Sequence, residues 1–231
     1  MKKSKETGIV IPAFNVAGKI GYVLSQVVKY VPPENVIVVD DGSIDGTFEV
    51  ASAYSVRVIR HEKNLGKGMA LQNGFQFALS QNLQTIFTLD GDGQHDPKEI
   101  PHFLEILEQG QYDVVIGKRP FRIGEMPVDR ILSNRMSSTI VSIFIGKWIP
   151  DSQCGYRVYR RKVLESLRPI SRRFEIEAEM VMLALKHGFR IGWCPIANRY
   201  GGTKSHIHRI SDTVRFLRML GRTIVRKSIG A

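Results

Sequence analysis

Residues 85–97 read Thr-Ile-Phe-Thr-Leu-Asp-Gly-Asp-Gly-Gln-His-Asp-Pro. The first five residues are apolar, aromatic or β-branched, which is the composition of a buried strand. Two aspartates separated by one glycine follow at once, so the strand ends where a polar segment begins. Carboxylates at this spacing in a turn can converge on one hard divalent cation, with Gln94 as a further oxygen ligand. The stretch therefore predicts a strand followed by a site for Mg²⁺ or Mn²⁺, held by Asp90, Asp92 and Gln94.

One acid of the same stretch has a purely structural explanation. Asp96 precedes Pro97, and the pair is typical of the N-cap and the first residue of a helix. This role does not account for Asp90 and Asp92. Because Mg²⁺ held by one or two carboxylates usually completes its coordination shell with water and phosphate oxygens, the two aspartates also indicate a phosphorylated ligand.

The composition limits the class of protein. The chain has 231 residues, 43% of them hydrophobic, which is enough for the core of one large domain. Its formal net charge of +11 indicates an anionic partner, which could be nucleic acid, an anionic membrane or a phosphorylated substrate. Cys154 and Cys194 belong to no CxxC pattern, so we predict two buried thiols. Neither a signal peptide nor a transmembrane helix is predicted, and we expect a cytoplasmic protein.

Strand-like and helix-like segments alternate along the chain. Apolar runs at residues 8–13, 35–39, 56–60 and 85–89 are separated by amphipathic segments. This alternation predicts an α/β fold with a mainly parallel, Rossmann-like sheet and helices on both faces. Ligands of such sheets bind beyond the carboxyl ends of the strands. Three polar segments are therefore expected to share one crevice, namely residues 12–15, 40–43 and 90–94.

The second half of the chain continues the alternation, although less regularly. We predict a helix at 97–108, a strand at 112–117, an amphipathic segment at 130–148, a strand and helix within 158–167, a helix at 174–187 and a strand at 190–195. The chain carries neither a GxGxxG motif nor a Walker P-loop, which argues against a dinucleotide-binding protein and a simple NTPase.

Six motifs, in this order, resemble those of the family 2 glycosyltransferases of GT-A fold, in particular the branch of dolichol- and polyprenol-phosphate mannose and glucose synthases. The motifs are Ile9-Val-Ile-Pro-Ala-Phe-Asn15, Val38-Val-Asp-Asp-Gly-Ser43 with Asp45-Gly-Thr47, Asn64-Leu-Gly-Lys-Gly68, Leu89-Asp-Gly-Asp-Gly-Gln-His95, Ile116-Gly-Lys-Arg119 and Gln153-Cys-Gly-Tyr-Arg157. The resemblance implies a GT-A catalytic domain at 1–205, followed by a C-terminal basic amphipathic helix at 206–231.

For the donor, the resemblance implies a nucleotide sugar of the UDP-glucose or GDP-mannose type, with its diphosphate on the metal and a catalytic role for Asp92. Val16 follows Asn15 where many relatives have Glu, and this departure leaves the choice of base open. The form of the motif at 153–157 is closer to that of the glucose synthases. The residues assigned to the donor nucleotide are Pro12, Phe14, Asn15, Asp40, Asp41, Gly68, Asp90, Gly91 and Lys204.

For the acceptor, the resemblance implies that Arg119, Arg130 and Ser133 hold the phosphate of a polyprenol phosphate, and arginine forks match phosphate oxygens. A phosphate nucleophile is ionised and needs no general base, so the implied reaction is an inverting sugar transfer assisted by positioning and charge. If the acceptor is instead the hydroxyl of a glycan or a small molecule, a base is required and Asp151 is the candidate. The structural alternatives are a solvated basic loop for the arginines and a turn for Asp151.

The last segment and the acidic run before it complete the predictions. Residues 210–226 predict a basic amphipathic helix, which suits peripheral contact with the cytoplasmic face of a membrane and equally suits packing on the domain. Among Glu175, Glu177 and Glu179, one is expected to line the acceptor site and the others to be surface charges.

Two functions from other classes were weighed against sugar transfer. A nucleic-acid-binding module explains the net charge, but the chain lacks an aromatic stacking stripe and a known binding motif, so no nucleic acid is expected. A nucleotidyltransferase shares the acidic metal site, but residues 12–19 do not supply its glycine-rich basic signature.

Overall fold

The computed structural model describes residues 6–120, 128–197 and 209–225. Within these ranges short apolar strands alternate with helices, as predicted. The strands are β1 (Thr7–Ala13), β2 (Val36–Asp40), β3 (Arg57–Arg60), β4 (Thr85–Thr88), β5 (Val114–Lys118), β6 (Arg157–Arg160) and β7 (Ile191–Pro195). The helices are α1 (Ala17–Val27), α2 (Thr47–Ser52), α3 (Lys67–Ser80), α4 (Ile100–Gln109), α5 (Val128–Ile145), α6 (Arg161–Ser166), α7 (Ile176–Lys186) and α8 (Arg209–Val225).

The described strands form one sheet in the order β3-β2-β1-β4-β6-β5-β7. β1 pairs in parallel with β2 and β4, β2 pairs in parallel with β3, and β5 pairs in parallel with β7. β6 runs antiparallel to both of its neighbours, β4 and β5. The prediction of a mainly parallel sheet is therefore confirmed, with β6 as a reversed strand that the sequence did not reveal.

β6 is reversed because the chain enters it from the carboxyl edge of the parallel strands. Its first residue, Arg157, lies opposite Thr88 at the end of β4. Just before the strand, the Thr88 hydroxyl donates a hydrogen bond to the Gly155 carbonyl at 2.7 Å. The loop that leads from α5 into β6 therefore runs along the edge where ligands of parallel sheets bind.

Helices cover both faces of the sheet. All five residues of β2 are buried, and because consecutive strand residues point to opposite faces, neither face of β2 contacts solvent. On the α4 side the Phe103 ring lies 6.0 Å from Phe87 of β4 and 4.4 Å from Tyr156, centroid to centroid. The predicted helices on both faces are thus confirmed.

The start of α4 differs in detail from the prediction. Asp96 is a cap as expected, since its side chain accepts a hydrogen bond from the Lys98 N–H at 3.1 Å. However, Pro97–Glu99 forms a 3-10 turn, and the α-helix begins only at Ile100. A continuous α-helix would need the N–H of residue 101 to bond with the carbonyl of residue 97, and Pro101 has no N–H.

Helix α8 packs on α7 through one side. Phe216, Met219 and Leu220 are buried, and the Lys186 ammonium of α7 donates to the Thr223 carbonyl at 2.6 Å. Packing on the domain, one of the two roles expected for this helix, is therefore observed. The described helices include none with the length and apolar composition of a bilayer-spanning segment. Both cysteines are free and buried as predicted, and burial raises the pKa of Cys154 to about 12.

Candidate functional site

The carboxyl ends of β1, β2 and β4 lie side by side, as the three polar segments predicted. Beyond the strands the Asp41 N–H donates to the Ala13 carbonyl at 2.8 Å. The Gly91 N–H points at the Pro12 carbonyl at 3.4 Å, and a Cβ at Gly91 would lie 3.3 Å from that oxygen. The glycine therefore allows the acidic turn to approach β1 closely, next to the loop that follows β2.

Asn15 ties the loops after β1 and β2 together. Its φ of 51° lies in the left-handed region, which asparagine tolerates better than most residues. Its side-chain oxygen accepts from the Ile44 N–H at 3.0 Å, and its own N–H donates to the Ser43 hydroxyl at 2.9 Å. These contacts give Asn15 a loop-shaping role beside the donor role that was predicted for it.

Asp41 holds the loop that precedes α3. Its carboxylate accepts from the Leu65 and Gly66 N–H groups, each at 2.8 Å, and lies 2.7 Å from His61 Nδ1. His61 Nε2 in turn lies 2.9 Å from the Asn73 amide nitrogen. With a proton on Nδ1, His61 donates to Asp41 and can accept from the Asn73 amide at Nε2. Most of the acceptor capacity of Asp41 is thus used within the chain.

Asp40 is fully buried at the end of β2. Its Oδ1 accepts from the Ser43 N–H at 3.1 Å, and the Arg60 Nε lies 3.3 Å from Oδ2. That second contact is an ion pair without hydrogen-bond alignment, since Oδ2 has no hydrogen-bond donor in the described residues. Arg60 also lies over the Phe48 ring, with its guanidinium carbon 4.5 Å from the centroid. The carboxylate of Asp40 therefore accepts fewer hydrogen bonds than that of the adjacent Asp41.

Lys67 is the centre of the acidic side of the site, a role that its sequence pattern did not predict. Its ammonium lies 2.6 Å from Asp90 Oδ1 and 2.6 Å from Glu177 Oε1, so that one cation joins the starts of α3 and α7 to the turn after β4. Burial alone would raise the pKa of Asp90, but the nearby Lys67 and His95 hold it far below its usual range. Burial alone would lower the pKa of Lys67, but the two carboxylates raise it. Asp90 and Lys67 are therefore both charged at neutral pH.

Asp92 has a different environment from Asp90. Its Oδ1 accepts from the Gln94 N–H at 3.0 Å. Burial, together with the negative charge of Asp90, raises its pKa. A cation beside both carboxylates would relieve this repulsion.

The predicted metal ligands are chemically suited to a hard cation. The described residues contain no group of three or more His, Cys, Asp or Glu side chains arranged as a metal site. Two carboxylates and an amide nevertheless form a donor set that Mg²⁺ and Mn²⁺ accept, provided that substrate phosphate oxygens complete the shell. Asp90, Asp92 and Gln94 therefore fit such an ion, with one oxygen of Asp90 already engaged by Lys67.

Gly68 lies at a close contact between two segments of the backbone. A Cβ at this position would lie 2.4 Å from the Ser171 carbonyl oxygen and 2.6 Å from the Arg172 carbonyl carbon. This close contact is enough to require a glycine at position 68, whether or not a ligand binds there. Gly68 is also the second residue of α3, so it lies near the loop held by Asp41.

Arg119 and Asp151 form a buried, two-pronged ion pair on the acceptor side. Arg119 Nε donates to Asp151 Oδ2 at 2.7 Å, and Nη2 donates to Oδ1 at 2.8 Å. The Asp151 side chain is fully buried, and its Oδ1 also accepts from the Gln153 N–H at 3.1 Å. Asp151 therefore orients Arg119, and both of its oxygens are already hydrogen-bonded.

Arg130 and Ser133 lie about one turn apart on α5, where Arg130 is half-buried and Ser133 is exposed. The inner side of α5 is fixed to the loop that carries Asp151, because the Ser138 hydroxyl accepts from the Ser152 N–H at 2.9 Å. The elements that bear the three predicted acceptor residues are thus neighbours. Lys204, the remaining predicted donor residue, lies outside the described residues.

The acids of α7 are not surface charges, and this part of the prediction is wrong. Glu179 is buried, and its carboxylate accepts from the N–H groups of Ile170 and Ser171 at 2.9 to 3.1 Å. Glu177 is also buried, against Lys67. Glu177 pairs with a lysine from another element, and Glu179 binds the backbone of the segment that precedes its own helix. A helical periodicity does not reveal either contact.

Arg157 ends the motif that hinted at the donor sugar, and it is fully enclosed. It donates to the carbonyls of Cys154, Ser152 and Glu177 at 2.6, 3.0 and 2.8 Å. Its role in the described structure is therefore to join β6, the preceding loop and α7.

Comparisons with known proteins agree with this geometry. The sequence model described as "Glycosyl transferase family 2" matches residues 8–168. An uncharacterized protein of Methanocaldococcus jannaschii is 34% identical over 230 residues. The match covers 96% of this chain and 92% of the length of that protein. A polyprenol monophosphomannose synthase of Mycolicibacterium smegmatis is 28% identical over 208 residues, covering 85% of this chain and 78% of its own.

A solved structure supports the fold at lower identity. Glucosyl-3-phosphoglycerate synthase from Mycobacterium tuberculosis, in complex with Mn²⁺, UDP-glucose and phosphoglyceric acid, has a TM-score of 0.73 and 18% sequence identity. The match covers 95% of this chain and 78% of the other.

Proposed function

The chain belongs to glycosyl transferase family 2, and from that premise we propose that it moves one sugar from a nucleotide-sugar donor to a polyprenol phosphate. The observation that carries the proposal is the pairing, at one edge of the sheet, of an acidic donor side with a basic acceptor side. Asp90 and Asp92 lie on the acidic donor side. Arg119 and Arg130 lie on the elements that form the basic acceptor side. The similarity to a polyprenol monophosphomannose synthase supports the choice of acceptor.

On the donor side we assign the diphosphate of a UDP-glucose or GDP-mannose type donor to the acidic turn. Asp90, Asp92 and Gln94 would hold Mg²⁺ or Mn²⁺ there, and the ion would supply charge neutralisation for the departing nucleoside diphosphate. The Mn²⁺ and UDP-glucose bound by the glucosyl-3-phosphoglycerate synthase of the same fold support this assignment. Asp40, Asp41, Asn15 and the adjoining loops would form the nucleoside pocket, and Lys204 is proposed to reach the diphosphate.

On the acceptor side an ionised phosphate oxygen is the nucleophile. It attacks the anomeric carbon of the sugar as the bond from that carbon to the diphosphate breaks, so that the configuration is inverted and the nucleoside diphosphate leaves with the bonding electrons. Arg119, Arg130 and Ser133 would hold the phosphate, with Arg119 fixed by Asp151. No proton has to be removed from this nucleophile, which agrees with the hydrogen bonds that already occupy both oxygens of Asp151.

Because a polyprenol phosphate lies in a membrane, the protein must contact that membrane to reach it. We propose that this contact is peripheral and at the cytoplasmic face. Exposed apolar side chains on α5 and just after it support this contact. They are Leu132, Met136, Ile143, Phe144 and Trp148. The proposal includes a catalytic domain at 1–205 and a C-terminal basic amphipathic helix at 206–231.

An assay of the purified full chain tests the proposal. Polyprenol phosphate in detergent is mixed with Mn²⁺ and radiolabelled UDP-glucose or GDP-mannose, and the label that enters the organic phase is counted. We expect labelled lipid with one of the donors and none with Asp92→Ala. The matched control is Glu105→Ala, an exposed acid on α4, which should keep full activity. Label found only on a water-soluble hydroxyl acceptor would overturn the lipid assignment.

A further inference from the structure

A cavity of about 290 Å³ lies between α8 and the segment that precedes α7. We call it the arginine cavity. No residue that lines it belongs to the crevice described above. Its lining residues are Ile170, Ser171, Arg172, Arg173, Glu175, Arg215, Arg218, Met219 and Arg222.

The charge of the arginine cavity is not balanced by the protein. Arg172, Arg173, Arg218 and Arg222 make no side-chain hydrogen bond or ion pair with any part of the described chain. Glu175, the one acid among the lining residues, likewise makes no ion pair there. Arg215 pairs with Asp212, but its buried Nε lacks a partner in the described ranges. Arginines that share one cavity repel one another, and a bound anion removes that repulsion.

The wall formed by residues 170–173 is fixed in place. The buried Glu179 carboxylate accepts from the N–H groups of Ile170 and Ser171. On the other side, the Gln72 amide donates to the Ser171 carbonyl at 2.9 Å, and the Met69 N–H donates to the Arg172 carbonyl at 3.2 Å. The two arginines of this wall are therefore presented on a backbone that is already ordered, which lowers the entropy cost of binding.

The opposite wall is a single face of α8. Arg215, Arg218 and Arg222 follow one another at helical spacings of three and four residues, which places them on one side. Phe216 and Leu220, which pack on the domain, hold this side toward the cavity. Guanidinium forks match the geometry of phosphate oxygens, and a group held between two arginine walls can accept hydrogen bonds from both.

We propose that the arginine cavity is a binding site for a phosphate group, separate from the donor and acceptor crevice. Its volume is close to the lower end of the range for small-molecule sites, roughly 300–1,000 Å³, and exceeds the needs of a bare phosphate. The ligand is therefore a phosphate that carries a small organic group. Two sources share this chemistry: the head group of an anionic phospholipid and a soluble phosphorylated metabolite.

The test measures the binding of two probes to the full chain at constant ionic strength. Inorganic phosphate is titrated by calorimetry, and vesicles of phosphatidylcholine with or without phosphatidylglycerol are used in sedimentation. We expect the double variant Arg218→Gln/Arg222→Gln to weaken binding at least tenfold, because two charge-assisted contacts are lost. Arg172→Gln/Arg173→Gln, on the other wall, should give a similar loss. Both pairs are exposed, and unchanged melting temperatures will verify that the variants fold.

Two controls separate this site from other positive charges. Arg57→Gln removes an exposed charge at the β3 edge of the sheet, and Lys98→Gln removes an exposed charge from the 3-10 turn before α4. Both should bind the probes as the wild type does. Loss with phosphate but not with phosphatidylglycerol vesicles indicates a soluble ligand, and loss with phosphatidylglycerol vesicles indicates a lipid head group. Wild-type binding by both double variants, or an equal loss in either control, would overturn the proposal.

Discussion

Lys67 makes the central ion pairs of the candidate site. Its ammonium, 14% exposed, neutralises Asp90 and Glu177, which come from two elements more than eighty residues apart in the chain. Removing one partner from a buried ion network leaves the other charges uncompensated, which is more damaging than the loss of a surface pair.

We therefore expect Lys67→Met to lower the free energy of unfolding by about 3 kcal/mol or more at pH 7. The matched control is Lys162→Met, whose ammonium pairs with Asp113 at 2.7 Å but is 62% exposed. That control should cost at most about 1 kcal/mol. Urea denaturation of the two variants and the wild type gives the comparison.

The effect of Lys67→Met should depend on pH in a defined direction. The pKa of Asp90 is lowered in the folded protein, so its contribution to stability is present above the unfolded pKa of about 3.9 and is lost as the pH falls through the folded value. The variant should consequently differ most from the wild type at neutral pH and less at pH 3. A deficit that is equal at both values would contradict the assignment of Lys67 as the partner that keeps Asp90 ionised.

Asp151 provides a second prediction at the scale of single residues. If it positions Arg119, then Asp151→Asn should raise the KM for the polyprenol phosphate acceptor with a smaller change in kcat, and the shape of the pH profile should not change. A general base would instead show a large fall in kcat and the loss of the ascending limb of the profile. The steady-state kinetics of the variant at several pH values distinguish the two roles.

Single-residue roles were only partly visible in the sequence. The acidic turn at 90–92 was predicted because a strand-like run leads directly into it. The link from Lys67 to Glu177 was missed, since periodicity places a charge on a helix face but does not identify a neutralising partner from another element. Asp41 was expected to face a ligand, whereas most of its oxygen lone pairs bind its own chain.

At the scale of elements, the close approach of α3 to the segment before α7 depends on the small size of Gly68. A Cβ there would lie within 3.0 Å of backbone atoms of Ser171 and Arg172, which cannot rotate away as a side chain can. We expect Gly68→Ala to lower the free energy of unfolding by roughly 1–3 kcal/mol, the usual cost of overpacking.

Gly18 is a matched control, because it is also the second residue of a helix, in α1, and nothing lies within 4 Å of a Cβ built on it. Gly18→Ala should stabilise the protein by about 0.4–1 kcal/mol. Denaturant unfolding of both variants measures the difference. If both substitutions raised the free energy of unfolding, the backbone around Gly68 would have to relax at little cost, and the prediction would be wrong.

Most elements could be predicted because β1, β2, β4 and β5 are largely apolar runs that end near polar or glycine residues. The direction of β6 could not be predicted, since the pattern of a four-residue strand with the sequence Arg-Val-Tyr-Arg reads the same in either direction. The reversal depends on where the preceding loop returns to the sheet, and that is fixed by contacts such as Ser138 with Ser152, which are tertiary.

At the scale of the whole molecule, the exposed apolar side chains concentrate on α5 and the residues that follow it. We expect the double variant Phe144→Ser/Trp148→Ser to reduce partition into neutral phosphatidylcholine vesicles by roughly tenfold or more, because two large apolar side chains no longer enter the bilayer interface. Vesicle flotation measures the change, which should persist at high salt.

The control for this prediction is Tyr22→Ser/Ile44→Ser, which removes two exposed large side chains from α1 and from the loop after β2. Equal losses in both double variants would indicate general surface hydrophobicity and no membrane-facing side.

The segment at 170–173 has one further consequence. One side of it forms a wall of the arginine cavity, and its carbonyl groups on the other side bind α3 directly after the loop held by Asp41. The same hydrogen bonds thus support the cavity wall and the start of α3, so a cavity ligand that moved this backbone would act on both sites. Occupancy of the cavity and affinity for the donor are then thermodynamically coupled, and the coupling free energy has the same value in both directions. An anion outside the crevice would in that case adjust how strongly the donor is held.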